Sequence, residues 1–197
     1  MQELLKSLLP TFKLALSPNQ ISAMEIYIDM LRKWQKKVNL ISEPSLERLL
    51  QFHFLESFWM AKHFLSDGTV LTDLGAGAGF PGLAAKIYRP TINLTLIEKK
   101  ATKAFFLETL IRQLRLKKVS VCSLRWEKFQ GWSLGNTVCI RALKPSKALL
   151  QKIYRKQQIL LLLHSSELRL EWPKYKILKR LSVPGSRERM ASKLFLE

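Results

Sequence analysis

The sequence predicts an α/β fold, in which N-terminal helices precede a mostly parallel seven-stranded sheet that ends in an antiparallel hairpin. From Thr69 onward, short apolar runs alternate with amphipathic segments, a pattern typical of parallel strands joined by helical crossovers. A turn dense in glycine follows the first of these runs, where open α/β sheets bind their ligands. The length of 197 residues suits one domain with a modest extension.

Residues 1–66 are predicted to form a helical extension, and residues 67–197 one compact sheet domain. Apolar residues recur at helical spacing in three segments of the extension. Pro10 should kink or interrupt the first helix, whereas Ser17-Pro18 favours a helix start, because serine can cap a helix and proline suits its first turn. The helices are expected at residues 3–15, 18–36 and 46–65, with a turn at residues 39–44.

The sheet domain is predicted to contain five strands with helical crossovers and then two antiparallel strands. The expected strands are Val70–Leu74, Asn93–Ile97, Val119–Leu124, Val138–Ile140, Ile159–Leu163, Tyr175–Val183 and Arg189–Leu196, the last two flanking Pro184-Gly185. The expected crossover helices are Pro81–Tyr88, Thr102–Leu114 and Pro145–Tyr154, each long enough for one right-handed connection.

The chain is strongly basic, with 33 Lys and Arg against 15 Asp and Glu and a formal net charge of +18. This excess favours nucleic acid as a partner, because each neutralised phosphate releases counterions. An anionic membrane surface is the rival, but no apolar run reaches about 18 residues, and the first residues do not resemble a signal peptide. We expect a cytoplasmic protein that binds nucleic acid without a membrane partner. The candidate contacts are Arg32-Lys33 with Lys36-Lys37, Lys99-Lys100 with Lys103, and Arg112 through Lys118.

The cysteines and histidines do not form a metal-binding pattern. Cys122 and Cys139 lie in apolar runs and lack CxxC spacing, and the three histidines, His53, His63 and His164, are scattered. We expect buried, reduced thiols and no metal.

The informative segment runs from Asp73 to Gly82 and has the pattern DxGxGxG. Glycines let the backbone turn sharply and approach a ligand, and the Asp73 carboxylate can order the loop or bind an ammonium group. A dinucleotide loop would place its third glycine where Phe80 stands. Glu98 closes the second strand and is expected to hold ribose hydroxyls, a device that dinucleotide enzymes share. The expected contacts of a nucleotide-like cofactor are Asp73, Gly75, Gly77, Gly79 and Glu98.

Further motifs lie in order around this loop. They are Lys37-Val38-Asn39-Leu40, His53-Phe54-Leu55-Glu56-Ser57, the Gly-Phe-Pro-Gly ending at residues 79–82, the segment from Glu98 to Leu107, Arg125-Trp126-Glu127 and Arg141-Ala142. With them, the stretch from Val38 to Pro145 resembles the ribosomal RNA small-subunit methyltransferase G family, also called glucose-inhibited division protein B. Glu56 stands where the family usually has Asp, and His164-Ser165 where it tends to have Lys-Gly. Val183-Pro184-Gly185 is similar to its closing hairpin.

The resemblance implies a Rossmann-like class I methyltransferase fold and S-adenosylmethionine as cofactor, with S-adenosylhomocysteine as product. It implies methylation of guanine N7 in the decoding region of 16S ribosomal RNA, as free RNA or in the 30S subunit, to give 7-methylguanosine. Gly75 and Phe80 would line the cofactor site, and Trp126 and Glu127 would lie along the adenine. Arg141 would face the cofactor or the target base and is the candidate catalytic residue.

The reaction asks little of side chains, because guanine N7 carries an in-plane lone pair and needs no general base. Alignment and hydrogen bonds to the guanine should supply most of the catalysis. Three alternatives stay open: a methyltransferase for another RNA position, a noncatalytic RNA-binding protein that keeps the fold, and a nicotinamide-dependent oxidoreductase. Phe80 in place of the third glycine and the net charge disfavour the last.

Overall fold

A computed structural model describes residues 1–42, 45–141, 144–165, 170 and 172–197. The strands are β1 Val70–Leu74, β2 Asn93–Ile97, β3 Val119–Cys122, β4 Thr137–Arg141, β5 Ile159–Ser165, β6 Tyr175–Ser182 and β7 Arg189–Leu196. They form one sheet in the order β3-β2-β1-β4-β5-β7-β6. Strands β1 to β5 are parallel, whereas β7 runs antiparallel to both β5 and β6. The predicted mostly parallel sheet of seven strands with a C-terminal hairpin is confirmed.

Five strand ends differ from the prediction by one or two residues: β4 is one residue longer at each end, β6 ends one residue earlier, and β3 and β5 differ at their carboxyl ends. β3 stops at Cys122, because the amide of Leu124 bonds to the Cys122 carbonyl in a tight turn. β5 continues to Ser165, because His164 and Ser165 pair with the first residues of β7. Such pairing depends on a partner far along the chain, so the local pattern does not contain it.

Strand β1 has β2 on one side and β4 on the other, so the order of the chain reverses at β1. The residues at the carboxyl ends of these strands, Leu74, Ile97 and Arg141, therefore meet at one edge of the sheet. This is the point at which open α/β sheets form a ligand crevice.

The helices cover both faces of the sheet. They are α1 Gln2–Phe12, α2 Pro18–Gln35, α3 Leu46–Leu49, α4 Glu56–Phe64, α5 Gly82–Tyr88, α6 Ala101–Gln113 and α7 Lys147–Arg155. Helices α1, α2, α4, α5 and α6 share one apolar core with one sheet face, and α7 packs on the other. Alternate residues of β5 enter the two cores, since strand side chains point to opposite faces in turn. The division of the chain at residue 66 stays a prediction.

The start of α2 follows the sequence signal, whereas α1 does not stop at its proline. Ser17 accepts a hydrogen bond from the Gln20 amide, and the Gln20 side chain accepts one from the Ser17 amide, which closes a capping box. Helix α1 continues past Pro10 to Phe12. Lys13 then adopts a left-handed conformation, and its amide bonds to the Pro10 carbonyl. Helix α1 therefore ends three residues before the predicted Ala15.

The predicted helix from Leu46 to Leu65 is not uniform. A π-helical segment, Leu50–Leu55, lies between α3 and α4. A π turn is wider than an α turn, so its carbonyl groups are displaced from the usual ladder, and such turns are frequent at functional sites. The spacing of apolar residues does not separate a π turn from an α turn, so the single-helix prediction was wrong in this detail. Glu43 and Pro44 of the predicted preceding turn lie outside the described residues.

Within the described part of the chain, no helix is both long and apolar enough to cross a membrane.

Candidate functional site

A cleft of about 500 Å³ opens at the carboxyl edge of the sheet. Its floor is apolar, its rim is basic, and the glycine loop forms one side. The lining residues are Leu74, Gly75, Gly77, Ile97, Glu98, Lys99, Lys100, Lys103, Leu124, Arg125, Trp126, Glu127, Ile140, Arg141, Lys144, Pro145, Ser146 and Leu149. A mainly apolar cleft of this size with a few convergent polar groups is typical of a small-molecule site.

The glycine loop approaches the cleft with its backbone. Gly75 and Gly77 have φ angles of 74° and 56°, which only glycine adopts without strain. The amide of Gly75 donates to the carbonyl of Ile97 at 2.8 Å, so the loop is fastened to the end of β2. Both glycines line the cleft, and their predicted contact with a cofactor stays a prediction.

Glu98 joins the glycine loop to the start of α6. Its Oε2 accepts the Gly77 amide at 2.9 Å, and its Oε1 accepts the Lys100 amide at 2.8 Å. The side chain is almost fully buried, but it lines the cleft. Each carboxylate oxygen can accept a further hydrogen bond. Glu98 is therefore held in place and can still accept hydroxyl groups of a bound ligand.

Asp73 lies behind the loop, outside the cleft lining. Its Oδ2 accepts the Gly82 amide at 2.8 Å, which ties the end of β1 to the first turn of α5. Burial raises the pKa of this carboxyl to about 7, although the Gly82 amide and the Arg141 charge both lower it. Of the two roles considered for Asp73, the contacts favour loop ordering over binding an ammonium group.

The raised pKa of Asp73 predicts a pH-dependent loss of stability. The unfolded carboxyl ionises near pH 4, but the folded one keeps its proton until about pH 7. Stability contributed by this group is therefore full below pH 4 and is lost as the pH rises to 7. Asp73→Asn can still accept the Gly82 amide and does not titrate. Relative to wild type, the variant should gain on the order of 4 kcal/mol of unfolding free energy between pH 4 and 7.

Urea unfolding of both proteins at half-unit pH steps measures this difference. Parallel curves across the range would show that Asp73 is ionised in the folded state.

Gly79 and Phe80 face the helical core and are absent from the cleft lining. The Phe80 ring stacks on Tyr27, with ring centroids 5.1 Å apart and planes 8° apart. It also meets Phe54 edge-on at 5.0 Å and lies 4.9 Å from His53. The predicted contacts of Gly79 and Phe80 with the cofactor stay predictions. They would have to involve backbone atoms, because the Phe80 ring packs against Tyr27.

Trp126 and Glu127 lie on a short 3-10 helix, Trp126–Lys128, after β3. Both line the cleft opposite the glycine loop. Trp126 is half-buried and packs against the apolar core on the α7 side of the sheet. The sequence therefore placed these two residues at the cleft, and their contact with an adenine stays a prediction.

Arg141 closes β4 and lines the cleft. Its Nη2 donates to the carbonyl of Phe52 at 2.7 Å, and Phe52 belongs to the π-helical segment. Burial lowers the pKa of the guanidinium, and Glu56 is the charge that most strongly raises it. Among the described residues, Nη1 is buried without a hydrogen-bond partner. Ala142, the second residue of the predicted Arg-Ala motif, lies outside the described residues.

Several cations rim the cleft. Lys99, Lys100 and Arg125 are exposed, and Lys103 is half-buried. The segment from Arg112 to Lys118 instead precedes β3 and lies at the opposite edge of the sheet. Only one of these two predicted basic clusters therefore adjoins the cleft.

Metal ligation finds no support in the part of the chain that the structure describes. No group of three His, Cys, Asp or Glu side chains there could hold an ion. Cys122 and Cys139 are free thiols, half-buried and buried respectively.

Some residues that shape the site were not identified from the sequence. The Tyr27 hydroxyl donates to the Ala78 carbonyl inside the glycine loop. Glu56 and Arg189 lie beside Arg141, although their sequence positions are far apart. Glu56 belongs to a motif that the sequence analysis named without assigning a role to it. Tyr27 lies in the apolar stripe of the second predicted helix and Arg189 begins the last predicted strand, and neither pattern indicates a role at the site.

Comparisons with known proteins agree with this architecture. The family model described as rRNA small subunit methyltransferase G, GidB, matches residues 20–183. A ribosomal RNA small subunit methyltransferase G of Desulfitobacterium hafniense (strain Y51) is 41% identical over 114 residues, which are 58% of this chain and 47% of that protein. The chain thus spans about half the length of the first curated relatives it matches.

Two solved structures share the fold at low identity. MtNAS in complex with S-adenosylmethionine has a TM-score of 0.60 and 15% identity, covering 88% of this chain and 72% of its own. A SAM dependent methyltransferase from Aquifex aeolicus has a TM-score of 0.54 and 16% identity, covering 78% and 94%. The predicted Rossmann-like class I methyltransferase fold is confirmed.

Proposed function

This chain belongs to the rRNA small subunit methyltransferase G family, and from that premise we propose that it methylates guanine N7 in 16S ribosomal RNA. The methyl donor is S-adenosylmethionine, and the protein acts as a cytoplasmic monomer on the decoding region of the RNA. The observation that carries the proposal is the cleft in which the glycine loop, Glu98, Trp126 and Arg141 converge.

The cleft residues fit an adenosyl cofactor. Glu98 is fixed by two amides and can accept the ribose hydroxyls, and Trp126 offers a flat wall for the adenine. The backbone of Gly75 and Gly77 permits close approach of the rest of the cofactor, beyond its ribose and adenine. Arg141 Nη1 is a buried donor without a partner among the described residues, which suits an acceptor atom in the cleft.

When bound, S-adenosylmethionine supplies a methyl group made electrophilic by its sulfonium. The protein's residues then have to orient the guanine so that N7 points along the methyl–sulfur axis. Arg141 is suited to donate to the cofactor or to guanine O6, because a guanidinium directly at N7 would oppose the positive charge that develops there. No side chain needs to remove a proton when N7 is the nucleophile.

The basic rim predicts how the protein binds RNA. Lys99→Gln with Lys100→Gln should weaken binding of stripped 16S RNA and reduce the slope of log K against log salt by about one for each lysine. Both lysines are exposed at the cleft, so they can meet phosphates beside the target base.

The matched control is Lys117→Gln with Lys118→Gln, which removes two exposed lysines at the opposite sheet edge. Filter binding at salt concentrations from about 50 to about 300 mM compares the RNA affinities of the two double variants. Equal losses in both pairs would mean that the cleft rim is not the RNA face.

Two measurements test the proposal in sequence. Calorimetry with S-adenosylhomocysteine and with NADH identifies the cofactor class, and we expect binding of the former only. Transfer of label from S-adenosylmethionine to 30S subunits and stripped 16S RNA, both lacking native methylation, tests the reaction. Cofactor binding without labelled RNA would favour the noncatalytic RNA-binding alternative, whereas label at another nucleotide would change the target alone.

A further inference from the structure

We propose that Glu56 and Arg189 are positioning residues that hold the Arg141 guanidinium in the cleft, so that the C-terminal hairpin forms part of the site. The proposal rests on the proposed function for its ligand, S-adenosylhomocysteine, and for its kinetic readout. Glu56 comes from α4, Arg141 from the end of β4 and Arg189 from the start of β7. Three elements far apart in sequence thus place their charges together behind the cleft.

The first contact involves the π-helical segment. Arg141 Nη2 donates to the Phe52 carbonyl at 2.7 Å, and the Arg189 guanidinium lies over the Phe52 ring at 5.8 Å. One residue of this wider turn therefore meets both arginines. A single carbonyl fixes the position of one guanidinium nitrogen, but it leaves the plane of the group free to rotate.

The second contact is a buried ion pair. Glu56 has no exposed surface, and its Oε1 lies 2.8 Å from Arg189 Nη2. Burial raises the pKa of Glu56, and the charges of Arg141 and Arg189 lower it. A buried carboxylate without cations would be very unfavourable, so the ion pair with Arg189 and the charge of Arg141 offset the cost of burying Glu56.

The cluster also contains complementary polar atoms without hydrogen bonds. Among the described residues, both Glu56 oxygens and Arg141 Nη1 lack a well-aligned hydrogen-bond partner. Glu56 therefore acts on Arg141 through its charge, and no hydrogen bond from these unpaired atoms joins the two side chains. This arrangement leaves Nη1 available to a group that enters the cleft.

Arg189 lies outside residues 20–183, the part matched by the family model. Its side chain is 29% exposed, so its replacement should be tolerated by the fold better than that of Glu56. If Arg189 is replaced, Arg141 is the one arginine of the two that remains beside Glu56. The Arg141 guanidinium should then turn away from the cleft and toward the Glu56 carboxylate.

A double-mutant cycle tests the proposal, with S-adenosylhomocysteine affinity measured by calorimetry for wild type, Glu56→Gln, Arg141→Ala and the double variant. Where Arg141 is intact, Glu56→Gln should weaken S-adenosylhomocysteine binding about tenfold. In the Arg141→Ala protein, the same substitution should weaken it less than about twofold. Glu56→Asp keeps the carboxylate and should recover most of the affinity. Equal losses in both backgrounds would overturn the proposal, because a merely structural role is additive.

Arg189→Met keeps the test decisive if Glu56→Gln does not fold. It should weaken binding by about threefold or more, with a loss that again disappears in Arg141→Ala. The control is Arg187→Met, an exposed arginine in the same hairpin, which should bind as wild type does. If Arg189→Met binds S-adenosylhomocysteine as tightly as wild type does, the C-terminal hairpin is not part of the site.

The same variants separate this proposal from the proposed function. If wild type labels RNA, the kcat of Glu56→Gln should fall about tenfold and that of Glu56→Asp less. If wild type labels no RNA, the proposed function fails, and the affinity cycle still decides the positioning role.

Discussion

Gly79→Ala is expected to destroy cofactor binding and to lower the free energy of unfolding by about 3 kcal/mol or more. Gly79 has a φ of 96°, where side chains are strained. A Cβ at this position would lie 2.3 Å from the Tyr27 hydroxyl oxygen and 3.1 Å from atoms of Leu83 and Leu107. Because Tyr27 also bonds to the loop at Ala78, its displacement would move the loop that lines the cleft.

Gly68→Ala is the matched control. Gly68 also has a positive φ, 74°, but a Cβ there would meet nothing within 4 Å. It should therefore show only the conformational cost of about 1 to 2 kcal/mol and keep cofactor affinity. Urea unfolding and S-adenosylhomocysteine calorimetry on both variants measure the contrast, and a Gly79→Ala protein that binds like Gly68→Ala would refute the packing role of Gly79.

Arg141→Ala is expected to lower methyl transfer by about 100-fold or more, because the cleft loses a buried charge-assisted donor. Arg141→Lys keeps the charge but carries all its donors on one nitrogen, so it lacks the planar fork that places one nitrogen at the Phe52 carbonyl and another elsewhere, and it should recover little. Single-turnover transfer to 30S subunits measures the chemical step. Arg155→Ala, an exposed arginine at the end of α7, is the control and should react as wild type.

Full recovery by lysine would mean that charge alone is needed. Wild-type rates in Arg141→Ala would exclude Arg141 from the reaction altogether.

The strands and the sheet type could be predicted because their signals are local. Apolar runs of five residues such as Val70–Leu74 and Asn93–Ile97 match the observed strands residue for residue. The π-helical segment Leu50–Leu55 could not be predicted, because its hydrogen bonds shift by one residue without changing the apolar spacing. The extension of β5 depends on pairing with β7, a strand that follows β6 in the sequence and is therefore not adjacent to β5 along the chain.

The residues of the candidate site likewise differ in whether a local sequence signal predicts them. Gly75, Gly77 and Glu98 could be placed at a cleft because a glycine turn after β1 and an acid after β2 must meet at one sheet edge. The same motif does not tell which of its residues face the ligand, and Asp73 and Phe80 face the interior. The ion pair between Glu56 and Arg189 joins segments separated by most of the chain.

The most direct test of the account is mass-spectrometric mapping of 16S RNA after incubation of unmethylated 30S subunits with the protein and S-adenosylmethionine. The account predicts one new 7-methylguanosine, at a single position in the decoding region, and far less of it with Arg141→Ala after the same incubation. A methyl group on another atom or another base, or no modification by a protein that binds S-adenosylhomocysteine, would contradict it.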